Sequence, residues 1–197
     1  MQKSVMWSLV VIFCLALPSV QAIAQEFPKY EFGGGFSYYT VGHGSEWYGW
    51  NTWGAKNLNR WFGLAYDIAG LNSSEYLEYS YFLHRMQYRR SSLLAGIRVA
   101  NRNLGRTVPY FHVLMGVAHT KNVSDLIQID GTKLATASSR ANAFALVFGG
   151  GIQCKIKDPL AIRLFHIDYM QVRTPGGWEE GIRLSVGLAV RLGKAGY

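Results

Sequence analysis

The sequence predicts an all-β fold, an eight-stranded antiparallel up-and-down transmembrane β-barrel. Three observations predict it. Long segments alternate between large apolar and small or polar residues. The charged residues of those segments fall on the small face. The composition suits strands: aromatic residues make up 14% of the 197-residue chain, Gly contributes 22 residues, and only 16% is charged. Many aromatics with few charges exclude a disordered chain, and aromatics with glycine fit strands and tight contacts.

The clearest alternation is GIRLSVGLAVRLG at 181–193. Ile182, Leu184, Val186, Leu188, Val190 and Leu192 share one parity, and Gly181, Arg183, Ser185, Gly187, Ala189 and Arg191 share the other. Such a period of two marks a strand with unlike faces. The direction of the aliphatic face separates a soluble barrel from a membrane one.

The chain opens with Lys3, an apolar run from Val5 to Leu17, Pro18 and the small-residue site Ala22-Ile23-Ala24. This is the pattern of a secretory signal peptide over 1–24, cleaved after Ala24 or Ala22, with the barrel domain at 25–197. The alternative is a retained anchor, for which the run is short against the roughly 20 residues a spanning helix needs. Without Lys3, 19 of the 20 Lys+Arg remain against 12 Asp+Glu, a net charge of +7. Cys154 is then the one cysteine, so no internal disulfide can form. A basic exported chain points to anionic lipid head groups or polyanionic surface glycans, not to nucleic acid. No later segment is apolar for 18 residues, which excludes a spanning helix.

The remaining strands follow in order. Residues 29–41 place Tyr30, Phe32, Phe36 and Tyr38 opposite Glu31, Gly33, Gly35, Ser37 and Tyr39. A second strand spans about 47–57; Trp at both parities leaves its facing open. In WFGLAYDIAG, Phe62, Leu64, Tyr66 and Ile68 oppose Ala65 and Asp67. A polar stretch near 71–80 and an ambiguous YFLHRMQYRR precede a fourth strand at 92–100, where Leu93, Ile97 and Val99 oppose Arg98. The fifth sets Phe111, Val113, Met115 and Val117 against Tyr110, His112 and Leu114. Residues 120–140 are polar without clear period. The sixth sets Phe144, Leu146, Phe148 and Ile152 against Ala143, Gly149, Gly151, Gln153 and Lys155. The seventh sets Phe165, Ile167 and Tyr169 against His166, Asp168 and Met170, and residues 181–193 are the eighth. Short connections near 58, 103 and 158 alternate with longer ones near 44, 75, 130 and 176, as in a meander with all its short turns at one end.

The small face carries Glu31, Asp67, Arg98, His112, Lys155, His166, Asp168 and Arg183 amid Gly, Ala and Ser. A water-facing strand surface is normally Thr, Lys, Glu and Gln. The interior of an eight-stranded barrel is just wide enough for side chains. Small residues with a few long, mutually paired charges fill it, since buried charges must pair. The expectation is therefore aliphatics toward lipid and a polar network of these eight residues inside. Tyr38, Tyr39, Trp47, Tyr48, Trp50, Trp53, Trp61 and Trp178 lie near strand ends, as in the aromatic girdles of membrane barrels.

The segments YEFGGGFSYY, NRWFG, PYFHVLMG and IRLFHIDY, in this order with the final GIRLSVGLAVRLG, resemble the OmpA-like outer-membrane β-barrel domain proteins, in particular small stand-alone members from Gram-negative bacteria. The resemblance covers about 27–193. It implies an outer-membrane barrel with a structural or surface-interaction role and no catalysis. It also implies a monomer with outer-membrane lipid, lipopolysaccharide and the barrel assembly machinery as partners. Tyr197 departs from the terminal aromatic of such proteins, because Lys194-Ala195-Gly196 precede it and its parity does not continue the Ile182–Leu192 face.

Other readings are weaker. His166 and Asp168 share a face as an acid–base pair would, but an ion-pair network inside a plugged barrel is the favoured reading of them. His43-Gly44-Ser45 lacks the context of an acyl-chain hydrolase. Gly33–Gly35 and Gly149–Gly151 lack the following Lys and helix of a phosphate loop and instead relieve interior crowding. Without CxxC or HExxH, neither a metal nor a cofactor is expected. A narrow pore and a soluble, lipocalin-like ligand-binding barrel are the alternative functions.

Overall fold

The computed structural model describes residues 27–195 apart from 43, 80–81, 103–104, 129–131 and 175. The proposed signal peptide, His43 and Tyr197 lie outside the described residues. Eight strands run in sequence order: β1 (Phe27–Val41), β2 (Glu46–Asn57), β3 (Phe62–Tyr79), β4 (Phe82–Ala100), β5 (Thr107–Gln128), β6 (Lys133–Lys157), β7 (Leu160–Thr174) and β8 (Gly177–Ala195). Each pairs antiparallel with the next, and β8 closes on β1 through pairs such as Phe36↔Val186. Closure leaves the body of the sheet without a free edge.

The alternation sorts as expected. Phe36, Leu93, Ile97, Met115, Val186 and Leu188 are exposed on the outside, whereas Glu31, Asp67, Arg98, His112, Asp168 and Arg183 are buried inside. The ambiguous β2 resolves into two classes. Trp47 and Trp53 point inward and are buried, while Tyr48 and Trp50 are exposed outside. With Tyr39 also buried, three of the girdle aromatics instead fill the interior. On the outer surface Trp50 stands opposite Gly70, and Tyr66 opposite Gly54. A Cβ on either glycine would run into that ring, so each aromatic shields the bare backbone of its neighbour.

The expected distinction between short and long connections does not hold. Residues 71–79 belong to β3, and residues 120–128 and 133–140 to β5 and β6. Beyond the closed barrel, at the end away from the chain termini, β3–β6 continue as a four-stranded sheet. Pairs such as Glu75↔Met86, Asp125↔Thr136 and Arg85↔Asp125 hold it together. β6 pairs with β7 only from Ala145 onward, so its residues 133–144 form an open edge. On β6, residues 133–142 of this extension are exposed at both parities. That removes the two-residue hydrophobic period on which the sequence reading depended.

One further feature breaks parity. The register of β7 against β8 shifts between Arg163 and His166. Leu164 and Phe165 both face outward, and Arg163 and His166 are both buried. The extra residue of a bulge lets two inward side chains lie three positions apart.

Candidate functional site

The interior is a stack of layers laid down by strand register. One row of directly paired residues crosses five strands: Arg98 on β4, His112 on β5, Gly149 on β6, Asp168 on β7 and Arg183 on β8. Gly149 leaves a gap between its neighbours. Across it, His112 Nε2 and Asp168 Oδ1 approach to 2.8 Å. Arg183 donates to Asp168 Oδ2 through Nε (2.9 Å) and Nη2 (2.6 Å), and through Nη1 to Asp67 Oδ1 (2.7 Å) on the opposite wall. His166 Nε2 lies 2.9 Å from Asp168 Oδ2, and Tyr110 Oη 2.8 Å from His166 Nδ1. With Nε2 protonated toward the carboxylate, Tyr110 donates to Nδ1. Asn51 completes the layer by donating to Asp67 Oδ2 (3.0 Å). The fork of a guanidinium bridging two carboxylates suits a site from which water is excluded.

Nearer the termini a second layer surrounds Glu31. Arg98 Nη1 donates to it at 2.9 Å and Asn57 Nδ2 at 2.9 Å, with Arg102 Nε at 3.6 Å. Arg98 Nη2 also donates to Gln153 Oε1 (3.1 Å), and Arg102 hydrogen-bonds Asn57. Arg163, delivered by the bulge, stacks its guanidinium 3.6 Å above the Trp53 ring. The same ring lies against Gly33 and Gly187, where a Cβ would overlap it. The glycine-rich segments thus make room for an aromatic and an arginine, as the crowding argument expected.

Above both ionic layers is an apolar plug that includes Tyr39, Trp47, Leu94, Leu114 and Met170. Arg90 caps it, gripping Glu179 with both Nη atoms (2.5 and 3.1 Å), its guanidinium carbon 4.8 Å from the Trp47 centroid.

Seven of the eight predicted polar residues fall within these layers, and Lys155 does not. It is half-exposed at the terminal mouth and donates to Asp158 Oδ2 at 2.6 Å in the β6–β7 turn. That hydrogen bond holds the Asp158 carboxyl below its ordinary value. Near the end of β6 the inward positions open onto the mouth, so parity alone overstates burial there. The mouth is a cavity of about 480 Å³ lined in part by Glu31, Arg102, Lys155, Asp158 and Arg191.

Sequence reasoning missed Arg163, hidden by the bulge, and Arg102, which lies in a connection. It also missed the convergence of His112, His166 and Asp168, whose donor atoms lie within 4.8 Å of one another. That spacing could accommodate a metal ion, but the carboxylate already accepts from both imidazoles and from Arg183. A divalent cation would have to displace these contacts beside a buried guanidinium. The arrangement is a closed hydrogen-bonded set, better suited to holding strands together than to turnover.

Gly149→Ala tests this layer. The new Cβ would overlap Asp168 Oδ1 and sit 2.8 Å from the Ile167 carbonyl oxygen. The expected cost is about 1–3 kcal/mol, typical of overpacking, read as a lower urea midpoint. An unchanged midpoint would show that the His112–Asp168 contact does not depend on the missing side chain.

A closed antiparallel barrel with aliphatics outside and a plugged ionic interior has the architecture of the small eight-stranded transmembrane β-barrels. Solved structures similar to this chain include two of these. One is Ail, the attachment invasion locus protein of Yersinia pestis, in complex with the heparin analogue sucrose octasulfate (16% identity, 85% of this chain and 99% of that one, TM-score 0.51). The other is Neisserial surface protein A, NspA (11% identity, 83% of this chain and 96% of that one, TM-score 0.54). At these identities the likeness concerns the fold. No protein-family model matches the chain, and no curated protein does.

Proposed function

We propose that this chain is a resident β-barrel of the bacterial outer membrane with a structural and surface-interaction role and no catalytic activity. The observation that carries the proposal is the inverted polarity of the barrel. Large aliphatic and aromatic side chains cover the outside, while Arg98, Arg183, Glu31 and Asp168 are among the most completely buried groups. In water that arrangement would expose an apolar belt far larger than soluble proteins tolerate. In a bilayer it gives the apolar band and polar interior of an outer-membrane barrel.

The plugged interior favours this role over a pore, because the ionic layers and the apolar plug fill the bore. The four-stranded extension supplies the surface for interaction. In such barrels the longer projections beyond the membrane lie outside the cell, and the β3–β6 extension is the longer projection here. Ail was solved with a heparin analogue, and a basic outward extension is consistent with a polyanionic partner here as well.

The test is gel migration of the outer-membrane fraction in SDS, boiled against unboiled. A closed lipid-embedded barrel is expected to stay with the membrane through a salt wash and to migrate differently before and after heating. Release by salt with identical migration would overturn the proposal in favour of a barrel surrounded by water.

A further inference from the structure

We infer that the outward face of β4–β6 is a binding site for the phosphorylated head group of an acylated lipid in the outer leaflet, lipopolysaccharide being the source that fits the proposed location. The inference rests on the membrane placement proposed above.

The site is defined by register. Arg89 on β4 is directly paired with Lys121 on β5, and Lys121 with Arg140 on β6. All three share the outward parity of Leu93, Val117 and Phe144. Three like charges in adjacent cross-strand positions repel one another, and no acidic residue is interposed. Their neighbour on β3 is Asn72. Among the described residues none of the three forms an ion pair. Among the described side chains of this sheet the outward carboxylate is Asp125, four residues further along β5. It is engaged by Thr136 (2.7 Å) and Lys133 (3.4 Å). Four residues of strand span about 13 Å, more than a Debye length at physiological salt, roughly 8 Å. The row is therefore an uncompensated positive strip.

Its height gives the ligand an amphiphilic character. Moving from the row toward the barrel, the next outward row is Ser91, His119 and Asn142, where His119 Nδ1 lies 2.7 Å from Asn142 Oδ1. The row after that is Leu93, Val117 and Phe144, all exposed. Cations, then neutral hydrogen-bonding groups, then aliphatics follow one another over four residues of strand. A lipid with phosphates on a sugar head group and several acyl chains presents the same order: anionic groups, hydroxyls, hydrocarbon. Two Arg and one Lys can give phosphate oxygens charge-assisted hydrogen bonds, with the guanidinium able to engage two oxygens at once. Elsewhere on the outward rim the composition differs. Tyr38 and Tyr48 on β1 and β2 hydrogen-bond Glu46, and Gln171 on β7 hydrogen-bonds Glu180 on β8. The strip is confined to one side of the barrel.

The test uses the full mature chain refolded in detergent micelles, with folding confirmed by heat-modifiable migration. Native mass spectrometry measures binding of diphosphoryl lipid A, monophosphoryl lipid A and sucrose octasulfate. Two variants of equal charge change are compared. One is Arg89→Gln/Lys121→Gln/Arg140→Gln. The other is Lys56→Gln/Arg106→Gln/Lys157→Gln at the opposite end. The strip variant is expected to lose about tenfold or more in affinity for diphosphoryl lipid A, as befits the loss of several charge-assisted contacts. The control variant should bind as the wild type does, and monophosphoryl lipid A should bind more weakly to the wild type. Equal loss in both variants would reduce the effect to net charge and overturn the inference. So would wild-type lipid binding by the strip variant. Loss confined to sucrose octasulfate would overturn it in favour of a soluble sulfated glycan. Heat-modifiable migration without lipid selectivity would refute the lipid site while leaving the membrane proposal standing.

Discussion

Arg183→Met is expected to destabilise the barrel by about 3–5 kcal/mol, the usual cost of removing one partner from a buried ion pair. Arg183 is fully buried and supplies Asp168 with two hydrogen bonds and Asp67 with one. Methionine has similar length and no charge, so the variant isolates electrostatics from volume. What remains is a pair of carboxylates in a bore without access to bulk water. The imidazoles of His112 and His166 still contact Asp168, whereas Asp67 keeps only the Asn51 amide. The measurement is the urea midpoint of the unboiled gel band. A companion variant, Arg183→Met/Asp67→Asn/Asp168→Asn, removes the whole charge set and should recover part of the loss, because buried ion pairs are costly mainly when broken unevenly. A single variant within about 1 kcal/mol of wild type, the scale of an exposed pair, would show that water reaches this layer.

The dependence of this layer on Arg183 was partly legible in the sequence. A period of two assigns faces, and it gathers Glu31, Asp67, Arg98, His112, His166, Asp168 and Arg183 on one face, where all seven are buried. Periodicity cannot say which members touch, because that depends on register between strands distant in sequence. The contact between His112 and Asp168 requires β5, β6 and β7 to align so that Gly149 falls between them. Arg163 was illegible for a different reason. Its parity matches the lipid face until the bulge before His166 reverses it. The extension failed through loss of contrast. Where both faces of a sheet are wet, polar strands such as 120–128 read as loops. The basic row Arg89–Lys121–Arg140 was invisible for the same reason that the interior contacts were: its members are remote in sequence and meet through pairing alone.

The sharpest separation between membrane and soluble readings comes from placing one charge at two positions of similar exposure. Leu188 on β8 is 53% exposed, and Leu134 on the extension of β6 is 48% exposed. If water surrounded both, Leu188→Arg and Leu134→Arg would each change stability by no more than about 0.5 kcal/mol, as surface substitutions usually do. The barrel geometry predicts otherwise. Leu188 lies well within the outward apolar run from Ile182 to Leu192, flanked by Val186 and Val190. Arginine near the midplane of a bilayer costs about 2–4 kcal/mol, falling toward zero at the interfaces. Leu134 belongs to the sheet that rises past β7 and β8, beside Asp125 and its Lys133 and Thr136 partners. There an added arginine stays in water. Refolded into phosphatidylcholine vesicles and unfolded in denaturant, Leu188→Arg should therefore show a large loss, and Leu134→Arg almost none. Comparable small effects at both sites would mean that aqueous solvent surrounds the aliphatic band. A large loss at both would move the membrane boundary up onto the extension. In that case Arg89, Lys121 and Arg140 would be buried in hydrocarbon, and the strip could not serve as a head-group site.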